Sequence, residues 1–252
     1  MTYREGAEKY YDLFGEKQDV GFYLGLAKQQ GGKALELGVG TARLAIQLAR
    51  AGVEVWGIDN SPHMLRAAEA KLAEEGPDVR SHVHLRQADV RDFNLPERFG
   101  LVYFPSFSFD HLLTWNDQTA ALRCVLRHLA LNGAFAFDLA HAPKIEAGSG
   151  WFVERKALDD RRTVVRLGFH KTNAEKRLMT MDLWYELYED GRMLERYHEG
   201  GEVYVHDPDS VKRLLVENRF EIAKWYGGHE KERFTDSSKM MVIVARPLSK
   251  TI

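Results

Sequence analysis

One feature constrains this chain more than any other. Between Lys33 and Leu139, short apolar runs alternate regularly with helical patterns, and a glycine turn opens the series. Ala34-Leu35-Glu36-Leu37 reads as a strand that runs directly into Gly38-Val39-Gly40. Thr41 to Ala51 then places Leu44, Ala45, Leu48 and Ala49 at helical spacing. Val53 to Asp59 is a second strand. Ser61-Pro62 opens the next helix as cap and first-turn proline, with Met64, Leu65, Ala68 and Leu72 on one face. His82 to Leu85, Leu101 to Phe104 and Gly133 to Leu139 are further strands, and Trp115 to Leu131 is a long helix before the last of them. Strands separated by helices pair in parallel, so the pattern predicts a parallel sheet covered on both faces.

The flanking segments behave differently. The first 30 residues predict amphipathic helical structure anchored by Tyr10, Leu13, Phe14, Phe22, Leu24 and Leu26, with Gly15, Gly21 and Gly25 interrupting it. After Gly148-Ser149-Gly150, the segments Arg161 to His170, Leu178 to Tyr188 and Met193 to Val205 read as antiparallel strands, with Asp190-Gly191 as a hairpin turn. Pro208 to about Asn218 reads as a helix, and Phe220 to Tyr226 and Met240 to Ala245 as closing strands. The expected organisation is one domain over 1–252. It has a helical cap at 1–32, a ligand-binding core at 33–148, an antiparallel insertion at 149–206 and the last helix and strands at 207–252.

Composition narrows the function. Lys and Arg total 35 against 37 Asp and Glu, a formal net charge of −2, so no global positive field invites nucleic acid or an anionic membrane. Nucleic acid is therefore not an expected partner. No apolar run approaches the ~20 residues of a membrane span, and the first residues lack the apolar core of a secretory signal. The single cysteine, Cys124, can form neither an intramolecular disulfide nor a cysteine zinc cluster. The expectation is a cytoplasmic protein without membrane contact. His82 and His84 alternate on one strand face but have no visible third ligand, so no metal is expected.

The glycine turn carries the chemistry. A strand that turns tightly into a helix points backbone N–H groups into the crevice at the sheet's carboxyl edge, and glycines there allow positive φ and close approach of a ligand. A plain tight turn is the competing reading. The dinucleotide pattern is broken by Arg43, and the phosphate-loop pattern is absent. Glu36, two residues before Gly38, suits an ammonium better than a pyrophosphate. Asp59 ends the second strand, where a carboxylate accepts bonds from ribose hydroxyls. Asp89 follows the third strand, where a carboxylate can accept a bond from an adenine amine. Asp59 or Asp89 alone reads first as a helix cap or turn residue. Three acids at the ends of three successive strands, beside one glycine turn, point to a shared ligand.

At these residues the sequence resembles the class I S-adenosylmethionine-dependent methyltransferases. Ala34 to Thr41 is similar to their first motif, Gly57-Ile58-Asp59 to the second, Asn60 to Leu65 to the segment after it, and Gln87-Ala88-Asp89-Val90 to the adenine motif. Ala42 departs from the pattern, since many relatives carry a third glycine there. The resemblance implies an α/β fold with a doubly wound, mostly parallel seven-stranded Rossmann-like sheet and an antiparallel β insertion before the last helix. It implies S-adenosylmethionine as cofactor and S-adenosylhomocysteine as product. Glu36 would lie near the methionine amino group, Gly38 and Gly40 would form the turn, and Asp59 would hold the ribose hydroxyls. Asp89 and Val90 would frame the adenine with Met64 packed on it, and Asn60 and Phe104 complete the set.

The layout narrows the type. Tyr10-Tyr11-Asp12-Leu13, Phe107 to Leu112 and the antiparallel strands resemble small-molecule methyltransferases, the amino-sugar N,N-dimethyltransferases in particular. That implies a small-molecule acceptor methylated at an amine nitrogen. His111 is the first candidate base and His141 the second, a packed or surface histidine being the competing reading for both. Tyr11 is expected to close over the sulfonium. Phe107, His141 and Trp184 are the expected acceptor-side residues. Trp184, Tyr185, Tyr188 and Tyr197 suit either a substrate mouth or a homodimer interface. An RNA or protein methyltransferase and a non-catalytic S-adenosylmethionine-binding protein are the competing functions.

Overall fold

A computed structural model describes residues 6, 8–14, 18–141 and 147–248. The expectations for Met1 to Glu5 and for Gly15 lie outside the described residues. Five strands run parallel through the core: β1 (Ala34–Leu37), β2 (Val55–Asp59), β3 (Val83–Gln87), β4 (Phe99–Phe104) and β5 (Leu129–Ala140). Four antiparallel strands follow as a separate sheet: β6 (Gly148–Ala157), β7 (Arg162–Asn173), β8 (Leu178–Glu189) and β9 (Arg192–Tyr204). β10 (Phe220–Tyr226) and β11 (Met240–Pro247) return to the main sheet, where β11 pairs antiparallel with β5. The main sheet holds seven strands in the order β10-β11-β5-β4-β1-β2-β3. The chain winds outward from β1 to β3 and then crosses back to β4, so a crevice opens between the carboxyl ends of β1 and β4.

Strand alternation sends side chains to two cores. Leu35, Leu37, Val102, Phe104, Phe135 and Phe137 pack on one face. Ala34, Leu101, Tyr103, Ala134 and Ala136 pack on the other. The helices that cover them are α1 (Glu8–Tyr11), α2 (Asp19–Gln30), α3 (Arg43–Arg50), α4 (Pro62–Ala73), α5 (Pro77–Ser81), α6 (Trp115–His128) and α7 (Pro208–Glu217). The Ser61 hydroxyl accepts the Met64 N–H at the start of α4, as its cap position predicts.

Several boundaries differ from the sequence reading. The N-terminal pattern forms two helices, α1 and α2, and Gly21 and Gly25 lie within α2 rather than interrupting it. The helix expected to reach Leu131 stops at His128, because Leu129 already pairs with Phe99 in the sheet. Leu131 is left 94% exposed. His82 leaves the third strand and caps α5, its Nδ1 lying 2.7 Å from the Asp78 carbonyl, so it shares no strand face with His84. The insertion has four strands where the sequence suggests three. β6 escapes notice because it is an edge strand, largely exposed, carrying Glu154, Arg155 and Lys156. Charge on an edge discourages unwanted pairing and erases the apolar alternation that marks a strand.

The insertion forms its own cluster with the N-terminal segment. Its inner face, built from Val164, Leu183 and Tyr185, packs against Tyr10 with Leu13 and Phe14. Its outer face carries Trp151, Phe169 and Trp184, with Trp151 66% exposed.

Candidate active site

The carboxyl ends of β1, β2, β3 and β4 surround a cavity of about 380 Å3. From β1 and its turn come Glu36, Gly38 and Gly40. Asp59, Asn60 and Met64 come from the end of β2 and from α4. Asp89 and Val90 follow β3, and Phe104 ends β4. Tyr11 of α1 and His111 complete the wall. His111 belongs to a short 3-10 turn, Ser108–His111.

The turn after β1 is left-handed at Gly38 (φ 65°) and Gly40 (φ 54°). A Cβ on Gly38 would lie 3.2 Å from the Phe104 ring, so glycine lets the β1 turn and the end of β4 approach. Ala42 is also left-handed (φ 59°) and is the N-cap of α3, not a first-turn residue. That backbone costs about 1–2 kcal/mol for a residue with a Cβ. Its fully buried methyl offsets roughly 0.8 kcal/mol of that cost.

Glu36 is buried and accepts a 2.9 Å bond from the Tyr103 hydroxyl. Burial raises its pKa to about 8; the Tyr103 bond and Arg43 only partly oppose the rise. Arg43 also lines the cavity and is held by buried Asp19 of α2. Asp59 accepts N–H bonds from Gly40 at 2.9 Å and Ser61 at 2.8 Å. Its pKa is raised by burial and opposed by those bonds. Asp89 is engaged by Arg91, whose Nε lies 2.9 Å from one carboxylate oxygen and whose Nη2 lies 2.6 Å from the other. That pairing lowers the Asp89 pKa. Arg91 also bonds Asp117 of α6 at 2.9 Å, joining two walls of the cavity.

The wall after β4 is fixed from behind. Ser106 and Phe107 are left-handed (φ 60° and 57°), and their N–H groups donate to Asp138 at 3.2 and 2.6 Å. Asp138 is fully buried on β5 and also accepts the Tyr23 hydroxyl at 2.7 Å, with His229 Nε2 at 3.2 Å. On the opposite wall Asp12 accepts the Thr41 hydroxyl at 2.9 Å and pairs with Lys71 of α4. Sequence reasoning misses Asp12, Arg91 and Asp138. An acid directly after the apolar run Ala134–Phe137, two residues short of the end of β5, is the one signal that could have found Asp138.

His111 lies mostly buried, and its Nδ1 has no hydrogen-bond partner. Burial pushes its pKa down to about 4, with the Glu202 backbone opposing the drop, so the ring is neutral at pH 7. The three expected acceptor-side residues lie elsewhere. Phe107 contributes its backbone to the Asp138 contact and does not line the cavity. His141 packs 5.2 Å from Phe234, and its backbone bridges to His206. Trp184 stacks on Trp151 at 5.7 Å on the outer face of the insertion, because strand side chains alternate and Leu183 and Tyr185 take the inner face.

Sheet order, glycine turn and strand-end acids define the fold and cofactor crevice of class I methyltransferases. Residues 34–133 match the family described as a methyltransferase domain and are such a domain. The putative methyltransferase YqeM of Bacillus subtilis is 33% identical over 115 residues, 45% of this chain and 44% of that protein. The chain thus matches less than half the length of that curated relative. Two solved structures share the fold over nearly the whole chain. The CcbJ methyltransferase from Streptomyces caelestis superposes with a TM-score of 0.80 at 22% identity, covering 96% of each chain. CalS10 from Micromonospora echinaspora, an amino pentose methyltransferase solved with S-adenosylmethionine bound, gives 0.71 at 18% identity and covers 98% of each.

Proposed function

We propose that this chain transfers a methyl group from S-adenosylmethionine to a small-molecule acceptor, at an amine nitrogen. One observation carries the reading: Glu36, Asp59 and Asp89, at the ends of three consecutive parallel strands, open into one cavity beside the glycine turn. Its volume, about 380 Å3, lies within the range of small-molecule sites. The residues fit the cofactor: a buried carboxylate that accepts from Tyr103 and forms no salt bridge, for an ammonium, a strand-end aspartate for a diol, and apolar Met64 and Val90 for a base. Arg43, held by Asp19, is placed for the methionine carboxylate.

When bound, S-adenosylmethionine supplies an activated methyl on a cationic sulfur. The chain's own task is then alignment and exclusion of water, and proximity can contribute on the order of 7–11 kcal/mol. Phe104 and Pro105 shape the wall toward the acceptor, and Tyr11 closes the other side. With its pKa near 4, His111 is a weak base and serves as a neutral hydrogen-bond acceptor toward the incoming amine. The fold shared with an amino pentose methyltransferase supports the same class. The exposed aromatic face of the insertion supports self-association into a homodimer.

The test is thermal stabilisation by linkage. S-adenosylmethionine and S-adenosylhomocysteine should each raise the melting temperature, while NAD and ATP leave it nearly unchanged. A larger shift with NAD than with S-adenosylhomocysteine would overturn the reading.

A further inference from the structure

Of the three strand-end acids in the crevice, Asp89 alone is ion-paired among the described residues, and a paired carboxylate would ordinarily be a poor ligand group. A carboxylate offers about four acceptor positions. On Asp89 the Arg91 backbone N–H and Nε both donate to Oδ1 at 2.9 Å, and Nη2 donates to Oδ2 at 2.6 Å. Nε also lies 3.2 Å from Oδ2, but it has a single hydrogen to share between the two oxygens. Arg91 thus fills three positions, and one on Oδ2 stays open. The pairing lowers the Asp89 pKa, so the group stays ionised and can only accept.

Arg91 is itself held from α6. Its Nη1 donates to Asp117 at 2.9 Å, and Asp117 accepts the Thr114 hydroxyl at 2.7 Å through its other oxygen. The Cys124 thiol donates to the Arg91 carbonyl at 3.2 Å. Asp89, Arg91, Thr114 and Asp117 all line the cavity. The Arg91 and Asp89 side chains are 48% and 37% exposed, so their pairing adds little to stability. Its consequence is directional: a planar fork on two oxygens fixes the orientation of the carboxylate.

We propose that Arg91 sets the nucleobase specificity of the cofactor crevice: it holds Asp89 as an acceptor with one open position, which takes the exocyclic amine of a 6-aminopurine and rejects the carbonyl of a 6-oxopurine. The assignment rests on the methyl-transfer reading above. An adenine N6 amine donates at that edge, whereas a 6-oxo base presents an acceptor there. Two facing acceptors repel, and a carboxylate held by a fork cannot turn away. Arg91 is therefore a positioning residue that acts through Asp89. A charge-assisted bond made to one base and lost with the other should favour the 6-amino ligand at least tenfold.

The test uses the full chain and two ligands that differ only at the purine 6-position and the N1 beside it, S-adenosylhomocysteine and S-inosylhomocysteine, titrated calorimetrically at pH 7. Wild type should prefer the adenosyl ligand by about tenfold or more. Arg91→Met removes the side-chain donors, and Arg91→Lys keeps a positive charge without the fork; in both, the preference should fall by about fivefold or more, while the free chain melts as wild type does. Asp89→Asn carries a donor beside its acceptor and should lose the preference as well. Adding Arg91→Met to Asp89→Asn should change the preference no further, since both act on one contact. Wild-type selectivity in either single Arg91 variant overturns the proposal. So does a further loss in the double variant, which would put Arg91 on the base itself, and so does a wild-type chain that binds both ligands equally. If wild type binds neither ligand, the methyl-transfer reading falls, and the proposal with it.

Discussion

At the scale of single residues, burial decides which groups can do chemistry near neutral pH. The sequence expects His111 to titrate near 6–7, as an ordinary imidazole does. Its burial places that titration at about 4. The pH–rate profile should therefore show no limb from His111 between pH 5 and 8. His111→Ala should lower turnover by about 10²-fold or less, the bottom of the range for acid–base groups, with cofactor affinity unchanged. A wild-type limb at 6–7 that vanishes in the variant would restore His111 as an ordinary base. Glu36 shifts the opposite way, to about 8 from the usual carboxylate range. The folded, ligand-free chain holds this proton up to about pH 8, whereas the unfolded chain releases it near 4.5. Its contribution to stability therefore falls as pH rises through that window. Glu36→Gln should melt higher than wild type at pH 8 without ligand, yet bind S-adenosylmethionine at least tenfold more weakly. Wild type should release a proton on binding at pH 7, seen as a buffer-dependent heat in calorimetry; no buffer dependence would refute the linkage.

At the scale of elements, two aspartates hold loops that helix and strand geometry alone would not fix. Asp59 suits a diol by its place at a strand end, but it also anchors the Gly40 and Ser61 N–H groups. Asp59→Ala should accordingly lose about 1–3 kcal/mol of stability for the orphaned donors, in addition to a tenfold or greater loss of cofactor affinity. Denaturant unfolding and calorimetry separate the two effects. Asp138 does the same for the left-handed turn at Ser106 and Phe107. In Asp138→Asn one oxygen becomes a donor facing other donors. The Ser106 and Phe107 amides should then exchange with solvent at least tenfold faster, while amides of β1 and β2 keep their protection. Uniform loss of protection would mean that Asp138 supports the whole fold rather than the turn.

At the scale of the molecule, the insertion presents two unlike faces. The inner one meets the N-terminal segment through Tyr10, Leu13 and Phe14. The outer one leaves Trp151 and Val153 more than half exposed beside Phe169 and Trp184. This exposed apolar face is the proposed homodimer surface. Trp151→Glu should convert a dimer to monomer in sedimentation at micromolar concentration, with S-adenosylhomocysteine binding retained. A wild-type chain that sediments as a monomer would remove the homodimer from the proposal.

The sequence by itself determined the α/β sheet and the cofactor crevice, because both rest on local signals. Strand–helix alternation sets the pairing. Gly38, Gly40 and the acids at strand ends sit at fixed offsets along the chain, so the shared cavity of Glu36, Asp59 and Asp89 is legible from their spacing. What only the tertiary structure decided depends on segments far apart in sequence. Alternation along β8 turned Trp184 outward, while Leu183 and Tyr185 face inward. Pairing of Leu129 with Phe99 ended α6 early. Asp138 reached back to the loop after β4, and Arg91 claimed Asp89. The cavity wall beyond the strand ends draws on α1 and the 3-10 turn, which come from opposite sides of the core in sequence. No local pattern reports contacts of that span, because a one-residue change of strand register exchanges every inward side chain for an outward one.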